Sequence, residues 1–394
     1  MLSIEKNILK KSFQQIDKVP FQVDLMGEDS FTIGNGSPQF TVHINKEISK
    51  AELLKSTSLA LGEAFMDKAI EVEGDLFTAL DCVMSRFDKF KVDHKAMNKL
   101  IHTSTSPSNQ KKEVTSHYDI GNDFYKLWLD ETMSYSCAYF EHEDDSLYQA
   151  QVNKVDYTLK KLNLKEGMTL LDIGCGWGFL LIEAAKKYKV KGLGITLSKE
   201  QATEFERRIK AEGLEDQLEV KLMDYRDLKK SDLSFDRVVS VGMLEHVGRD
   251  NYNLYMECVS KVLKPEGLFL LHYISGKKEN AGDPWIKKYI FPGGTIPSLR
   301  EIISISFDND FYTIGSESLR RHYVKTLLHW YDNFEANLDI IKTKFDEKFI
   351  RMWELYLCSC AASFNNGMID LHQILFSKGV NNSLPLTRDY LYQH

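Results

Sequence analysis

The sequence predicts an α/β protein: a Rossmann-like, doubly wound sheet with a helical cap insertion, preceded by a smaller N-terminal α+β domain. Three observations predict it. From about residue 113 onward, strand-like and helix-like segments alternate, the pattern of a parallel sheet covered by crossover helices. A run of closely spaced glycines follows the first strand of that alternation. The chain of 394 residues is also longer than one hydrophobic core usually serves, which predicts two domains or one enlarged domain.

Residues 1–112 are expected to form the first domain. A helix over Ile4–Gln15 opens it, and apolar/polar alternation marks strands at Phe21–Leu25 and Phe40–Ile44. Helical stretches follow at Lys50–Leu61 and Leu76–Phe90, and the polar segment Thr103–Gln110 has the composition of a linker. The second domain, 113–394, begins its sheet at Leu170–Ile173, with Leu180–Tyr188 as crossover helix. Strands are expected at Val190–Ile195, Leu218–Met223, Phe235–Val241 and Gly267–Tyr273, and a helix at Glu200–Glu212. Another helix ends at Val259–Leu263, and Pro265-Glu266-Gly267 is expected to turn the chain into the last of these strands. Beyond about 276 the chain is aromatic-rich and mostly helical, at Arg320–Phe334 and Phe345–Phe364, as a substrate-covering cap would be.

Composition narrows the function. With 50 basic and 57 acidic side chains the net charge is −7, which argues against general nucleic-acid binding but leaves a local basic patch free to meet a lipid surface. No stretch approaches the roughly 20 apolar residues of a membrane span, and the N-terminus lacks the apolar core of a signal peptide. The cysteines at 82, 137, 175, 258, 358 and 360 are scattered, with no metal-ligand spacing, and are expected as free thiols in a reducing cytoplasm.

The segment Leu170-Leu171-Asp172-Ile173-Gly174-Cys175-Gly176-Trp177-Gly178 carries the clearest chemistry. Glycines there let the backbone turn sharply after the strand and approach a ligand that a Cβ would push away. The GxGxG spacing directly after an acidic residue is the S-adenosylmethionine version of such a loop. The second strand ends in Thr196-Leu197-Ser198, without the acidic residue a dinucleotide ribose requires, although Thr196 and Gln201 can still bond a ribose. Asp224-Tyr225, after the third strand, suit the adenine side of the ligand.

Polar groups also gather in Ser134–Tyr139, Gly242–Gly248, Leu271–Ile274 and Arg321–Leu327. Here the chain resembles the cyclopropane-fatty-acyl-phospholipid synthases and the mycolic acid cyclopropane synthases. The resemblance rests on HYDIGNDFYKLWLDETMSYSCAYF (117–140), LLDIGCGWG (170–178), TLSKEQ (196–201), DYRDL (224–228), VGMLEHVG (241–248), LLHYIS (270–275), DPWIKKYIFPGG (283–294), HYVKTLLHWY (322–331) and CAASF (360–364). It covers nearly the whole chain. The N-terminal domain, which the mycolic acid enzymes lack, is similar to that of the longer bacterial enzymes around Ser58–Asp67.

The resemblance implies methylene transfer from S-adenosylmethionine to a cis double bond of a membrane phospholipid acyl chain, with a bound bicarbonate ion as base. It implies a cofactor set of Tyr135, Ser136, Asp172, Gly174, Cys175, Gly176, Trp177, Gly178, Thr196, Leu197, Gln201, Asp224, Tyr225 and Arg226. The bicarbonate ligands it implies are Cys137, Glu245, His272, Ile274 and Tyr323, and Cys360 matches a cysteine taken as catalytic in the family. Nothing beside Cys360 in sequence would lower a thiol pKa, so core packing is an equal reading of it. No metal is expected. The expected partners are unsaturated phospholipids at the inner membrane face, reached peripherally from the cytoplasm, and a second copy of the chain in a homodimer. Lys287-Lys288 with Trp285, Tyr289 and Phe291 form the basic-aromatic cluster nominated for lipid contact. Competing readings are a C- or N-methyltransferase on another substrate, an enzyme leaving a methyl branch, and a lipid-binding module with an inactive cofactor loop.

Overall fold

Alternation of apolar residues with period two builds the first sheet. In this computed structural model, which describes residues 10–11, 13–16, 18–86 and 121–392, Phe21, Val23 and Leu25 of β1 (Phe21–Leu25) and Phe40, Val42 and Ile44 of β3 (Phe40–Ile44) all turn inward. Two strands not foreseen in the sequence, β2 (Asp29–Ile33) and β4 (Ile70–Gly74), complete the order β2-β1-β3-β4, with β1 and β3 parallel. Both have weak burial alternation, which is why periodicity alone missed them. The expected helix over Lys50–Leu61 is two helices, Lys50–Lys55 and Thr57–Met66, broken at Ser56, whose hydroxyl caps the second one. Of the expected opening helix, Ile4, Ile8 and Leu9 lie outside the described residues, as does the linker Thr103–Gln110.

The chain divides into two units. The first comprises Met1–Thr103, Gly282–Ile290 and Leu327–Met368; the second comprises Ser104–Ala281, Phe291–Thr326 and Ile369–His394. The expected boundary at 112 lies outside the described residues. Within the first unit, Gly62 of Thr57–Met66 is overlaid by the Trp285 indole so closely that a Cβ would sit 2.3 Å from the ring. Trp285 is only 3% exposed and Lys287 8%, while the Lys288 ammonium and the Tyr289 hydroxyl both bond Glu63 Oε1, at 2.5 and 2.7 Å. Residues 285 and 287–289 of the cluster nominated for lipid contact are therefore packing and ion-pair residues of the first unit.

The second unit holds a seven-stranded sheet in the order β10-β11-β9-β8-β5-β6-β7. Strands β5 (Thr169–Ile173), β6 (Lys191–Thr196), β7 (Leu218–Leu222), β8 (Phe235–Val241) and β9 (Leu263–Gly276) are parallel, as the alternation predicts. Both faces are covered. Leu171 and Ile173 of β5 join one buried cluster, and Leu170 joins the other, so the strand carries apolar residues to both faces, with the buried Asp172 as its polar exception. Two differences stand out. The Pro265-Glu266-Gly267 turn is a bulge inside β9, with Glu266 at φ 61 and a register shift opposite Phe235 and Arg237. The region beyond 276 also contributes β10 (Phe311–Ser318) and β11 (Ile369–Lys378), and β11 runs antiparallel between β9 and β10.

Candidate active site

The site lies where ligands gather in an open α/β sheet, beyond the carboxyl ends of the strands at the point where chain order reverses between β5 and β8. The loop after β5 carries Gly174, Gly176 and Gly178 at φ +83, +53 and +85, all in the left-handed region. Their reasons differ. A Cβ on Gly178 would stand 2.0 Å from the Phe205 ring, so this glycine lets the helix Lys199–Ala211 pack against the loop. A Cβ on Gly176 would meet nothing within 4 Å, so this glycine keeps space open. That space belongs to a cleft of about 1190 Å³, part of it open to solvent.

Thirteen of the fourteen expected cofactor residues line this cleft: Tyr135, Ser136, Asp172, Gly174, Cys175, Gly176, Trp177, Gly178, Thr196, Leu197, Gln201, Asp224 and Tyr225. Arg226 does not. It pairs with Asp224 Oδ2 at 3.5 Å and lies over the Tyr225 ring, and so orients both. Thr196 Oγ1 donates to Gln201 Oε1 at 2.8 Å and accepts from the Ser198 N–H, so the second strand ends in a hydrogen-bonded polar corner. Burial pushes the Asp172 carboxyl up to about 7, against the pull of the Lys154 ammonium. An elongated ligand with a cationic part, an acidic-to-polar rim and a flat ring fits this lining, and S-adenosylmethionine has that composition.

Sequence reasoning missed Lys154, His246, Met223 and Met243, which also line the cleft. Lys154 stands on the helix Leu147–Lys161, where Gln151, Lys154, Thr158 and Lys161 follow one another at helical spacing and are all buried. Such a polar stripe looks like a solvent face in the sequence. Instead it serves as a brace. Gln151 Nε2 donates to the carbonyls of Ser134 and Ser136 at 3.3 and 2.9 Å, and Lys154 Nζ donates to Ser136 Oγ at 2.9 Å.

The expected anion ligands are tied together in the same unit. Gly242 N–H bonds the His272 carbonyl at 2.8 Å, and Ile274 N–H bonds Glu245 Oε1 at 2.7 Å, so the loop after β8 clasps β9 at both residues. Leu319 N–H bonds the Leu371 carbonyl, and Leu371 pairs with Ile274 in the β9–β11 register. The Leu319 carbonyl in turn receives the Tyr323 N–H at 3.1 Å and the Cys137 thiol at 3.8 Å. Backbone pairing thus holds the segments of Cys137, Tyr323, Ile274, Glu245 and His272 to one another within this unit. The Ile274 N–H is spent on Glu245.

Two atoms of this set, Glu245 Oε2 and His272 Nε2, are buried without a hydrogen-bond partner among the described residues. Orphaned buried polar atoms are costly, and a small polar guest is the usual resolution. Burial raises the Glu245 carboxyl to about 7 and drives His272 well below its ordinary value, with Lys154 and Lys161 adding to the second effect. The Cys137 thiol is wholly buried and raised far above its usual range, so it is a neutral donor. Cys360 lies in the first unit on the helix Glu347–Asn365, where burial and then Asp283 push its thiol up to about 12. Nothing around it makes a thiolate. Among the described residues no cluster of His, Cys, Asp and Glu could hold a metal ion, and no helix is long and apolar enough to cross a membrane.

Comparison with known proteins gives the family. The family described as mycolic acid cyclopropane synthetase matches residues 105–374, and a domain family of unknown function matches 8–95. The chain is 39% identical to the cyclopropane-fatty-acyl-phospholipid synthase of Escherichia coli strain K12, over 90% of this chain and 92% of the relative. It is also 39% identical to a Pseudomonas putida protein named "Probable fatty acid methyltransferase", over 95% of this chain and 97% of that one. Among solved structures, a mycolic acid cyclopropane synthase complexed with SAH and CTAB superposes with a TM-score of 0.64 at 35% identity, covering 68% of this chain and 98% of the other.

Proposed function

The chain belongs to the mycolic acid cyclopropane synthetase family, and on that premise we propose that it transfers a methylene group from S-adenosylmethionine to a cis double bond in an unsaturated phospholipid acyl chain, closing a cyclopropane ring. The observation that carries this reading is the pair of buried, unpartnered atoms, Glu245 Oε2 and His272 Nε2, in the same unit as the glycine-loop cleft. A plain methyl transfer to an amine removes a proton only from nitrogen and needs no base placed against the transferred methyl itself. Ring closure does, because one proton of the transferred methyl must leave.

When bound, S-adenosylmethionine supplies an electrophilic methyl group, which becomes the ring methylene once one proton is lost. A bicarbonate ion held by Cys137, Glu245, His272 and Tyr323 would supply the base. In that arrangement the Tyr323 hydroxyl donates to the anion, as does the neutral Cys137 thiol once its one proton turns away from the Ala138 and Leu319 carbonyls, and Glu245 Oε2 accepts the anion's hydroxyl proton. Ile274 acts through its N–H, which fixes the Glu245 carboxylate. Asp172, Thr196, Gln201, Asp224 and Tyr225 hold the methyl donor, and the glycine loop sets the approach of the alkene. Attack of the alkene on that methyl leaves a carbocation on the acyl chain, and a bound acyl chain against the buried aromatic and aliphatic side chains would exclude the water that captures it.

A phospholipid is favoured over a mycolic acid substrate because the bacterial relative named for phospholipid acyl chains matches through the N-terminal unit, whereas the mycolic acid enzyme covers 68% of this chain. In this reading the protein works at the cytoplasmic face of a membrane, docking peripherally, and pairs as a homodimer to raise its hold on the surface. Incubation with labelled S-adenosylmethionine and vesicles of an unsaturated phospholipid should yield the high-field proton signals of a cyclopropane. A methyl-branched or methylene-bearing acyl product would show instead methyl transfer without ring closure.

A further inference from the structure

We propose that Gln373 is a positioning residue that locks His272 as a neutral imidazole protonated on Nε2, so that this histidine acts only as a hydrogen-bond donor. The sequence placed His272 in the site but gave no clue to its tautomer, and the answer comes from two residues far away in the chain. Lys161, at the end of the buried polar stripe, sends its ammonium to Glu317 Oε2 at 2.5 Å and to Gln373 Oε1 at 2.6 Å. An ammonium has three donors and no acceptor, so the oxygen of the Gln373 amide must face it. The opposite orientation would press an NH₂ against the ammonium. The Gln373 nitrogen then faces His272 Nδ1 at 3.1 Å, with Thr158 Oγ1 at 3.4 Å as its other acceptor.

An amide NH₂ can only donate, so His272 Nδ1 must accept and the ring proton sits on Nε2. That nitrogen is buried and has no hydrogen-bond partner among the described residues. It is therefore an unsatisfied donor, and whatever completes it presents an oxygen lone pair. Burial and the cations of Lys154 and Lys161 hold the ring neutral, so the donor persists. His272 cannot take the methyl proton, because its one lone pair is held by Gln373. The base must be another group, and the role of His272 is to hold it. This consequence for catalysis rests on the ring-forming reading above; the tautomer assignment does not.

Nitrogen-15 spectra of the full chain labelled at histidine test the assignment directly, with the His272 signals identified by their loss in His272→Gln. The expected wild-type spectrum has Nδ1 unprotonated and Nε2 protonated; the reverse overturns the proposal, with no variant needed. In Gln373→Glu the new carboxylate still meets Lys161 but can only accept, so the ring proton should move from Nε2 to Nδ1. An unchanged spectrum in that variant would show that Gln373 does not set the tautomer. With the change in tautomer, kcat for ring formation should fall at least tenfold while the Kd for S-adenosylmethionine stays within threefold; an unchanged kcat would remove the donor role. If the wild-type chain forms no cyclopropane from any unsaturated phospholipid, the proposed reaction fails while the spectrum still decides the tautomer.

Discussion

The Glu245 carboxyl is pushed up to about 7 by burial while one of its oxygens takes the Ile274 N–H, so stability and chemistry pull it in opposite directions. Asp172 is raised to the same value. For both, the folded pKa lies above the unfolded value of about 4. Their stabilising contribution is therefore complete below about pH 4 and lost as pH rises through about 7, at a cost of order 3–4 kcal/mol each. Lys154, lowered only to about 8, stays protonated through that window and does not alter the sign. Glu245→Gln should then raise the Tm of the unliganded protein by about 3–8 °C at pH 8 and hardly change it at pH 4, while ring formation drops at least about 100-fold. Calorimetry at the two pH values and proton NMR of the product check this, and equal Tm shifts at both would count against the buried carboxylate. Cys360 is expected to behave oppositely. With its thiol at about 12, it should alkylate slowly at pH 8, and Cys360→Ala should change kcat by less than about threefold.

The strand–loop–helix element after β5 was legible in the sequence because its demands are local: glycines at fixed spacing impose the turn wherever the chain goes next. Its last two glycines should nevertheless separate on substitution. Gly178→Ala drives a Cβ into Phe205 from a left-handed backbone and should destabilise by about 2–4 kcal/mol. Gly176→Ala adds a methyl group in open space, costs about 1 kcal/mol of backbone strain, and instead narrows the cleft, so cofactor affinity should suffer more than Tm. Titration calorimetry beside thermal melts distinguishes them. The helix Leu147–Lys161 was not legible in this way. Gln151, Lys154, Thr158 and Lys161 look like a wet face until the segments they bond are in place, and those lie before the helix, at Ser134 and Ser136, and more than 200 residues after it, in β11. Gln151→Leu removes the donor to both Ser134 and Ser136 and should weaken S-adenosylmethionine binding about tenfold, the worth of one to two hydrogen bonds, without blocking turnover at saturation.

At the scale of the whole molecule, what the sequence made plain was periodicity and motif, and what it concealed was pairing across long separations. Strand β11 hides in a region that looks helical because its partner β9 is about 100 residues earlier, and His272 meets Gln373 only through that pairing. Charge was similarly ambiguous. Lys287 and Lys288 beside aromatic residues look like a membrane contact, but Lys287 is 8% exposed and Lys288 is bonded to Glu63. With a net charge of −7, the chain also gains nothing from a general attraction to an anionic leaflet. A cation that truly met such a surface would be worth about 1 kcal/mol, or about fivefold in partition. An exposed ion pair such as Lys288–Glu63 is worth about 1 kcal/mol or less to folding and nothing to docking. Lys288→Ala should therefore leave binding to vesicles containing anionic phospholipid within twofold of wild type in a flotation assay, and a fivefold loss would return that cluster to the membrane.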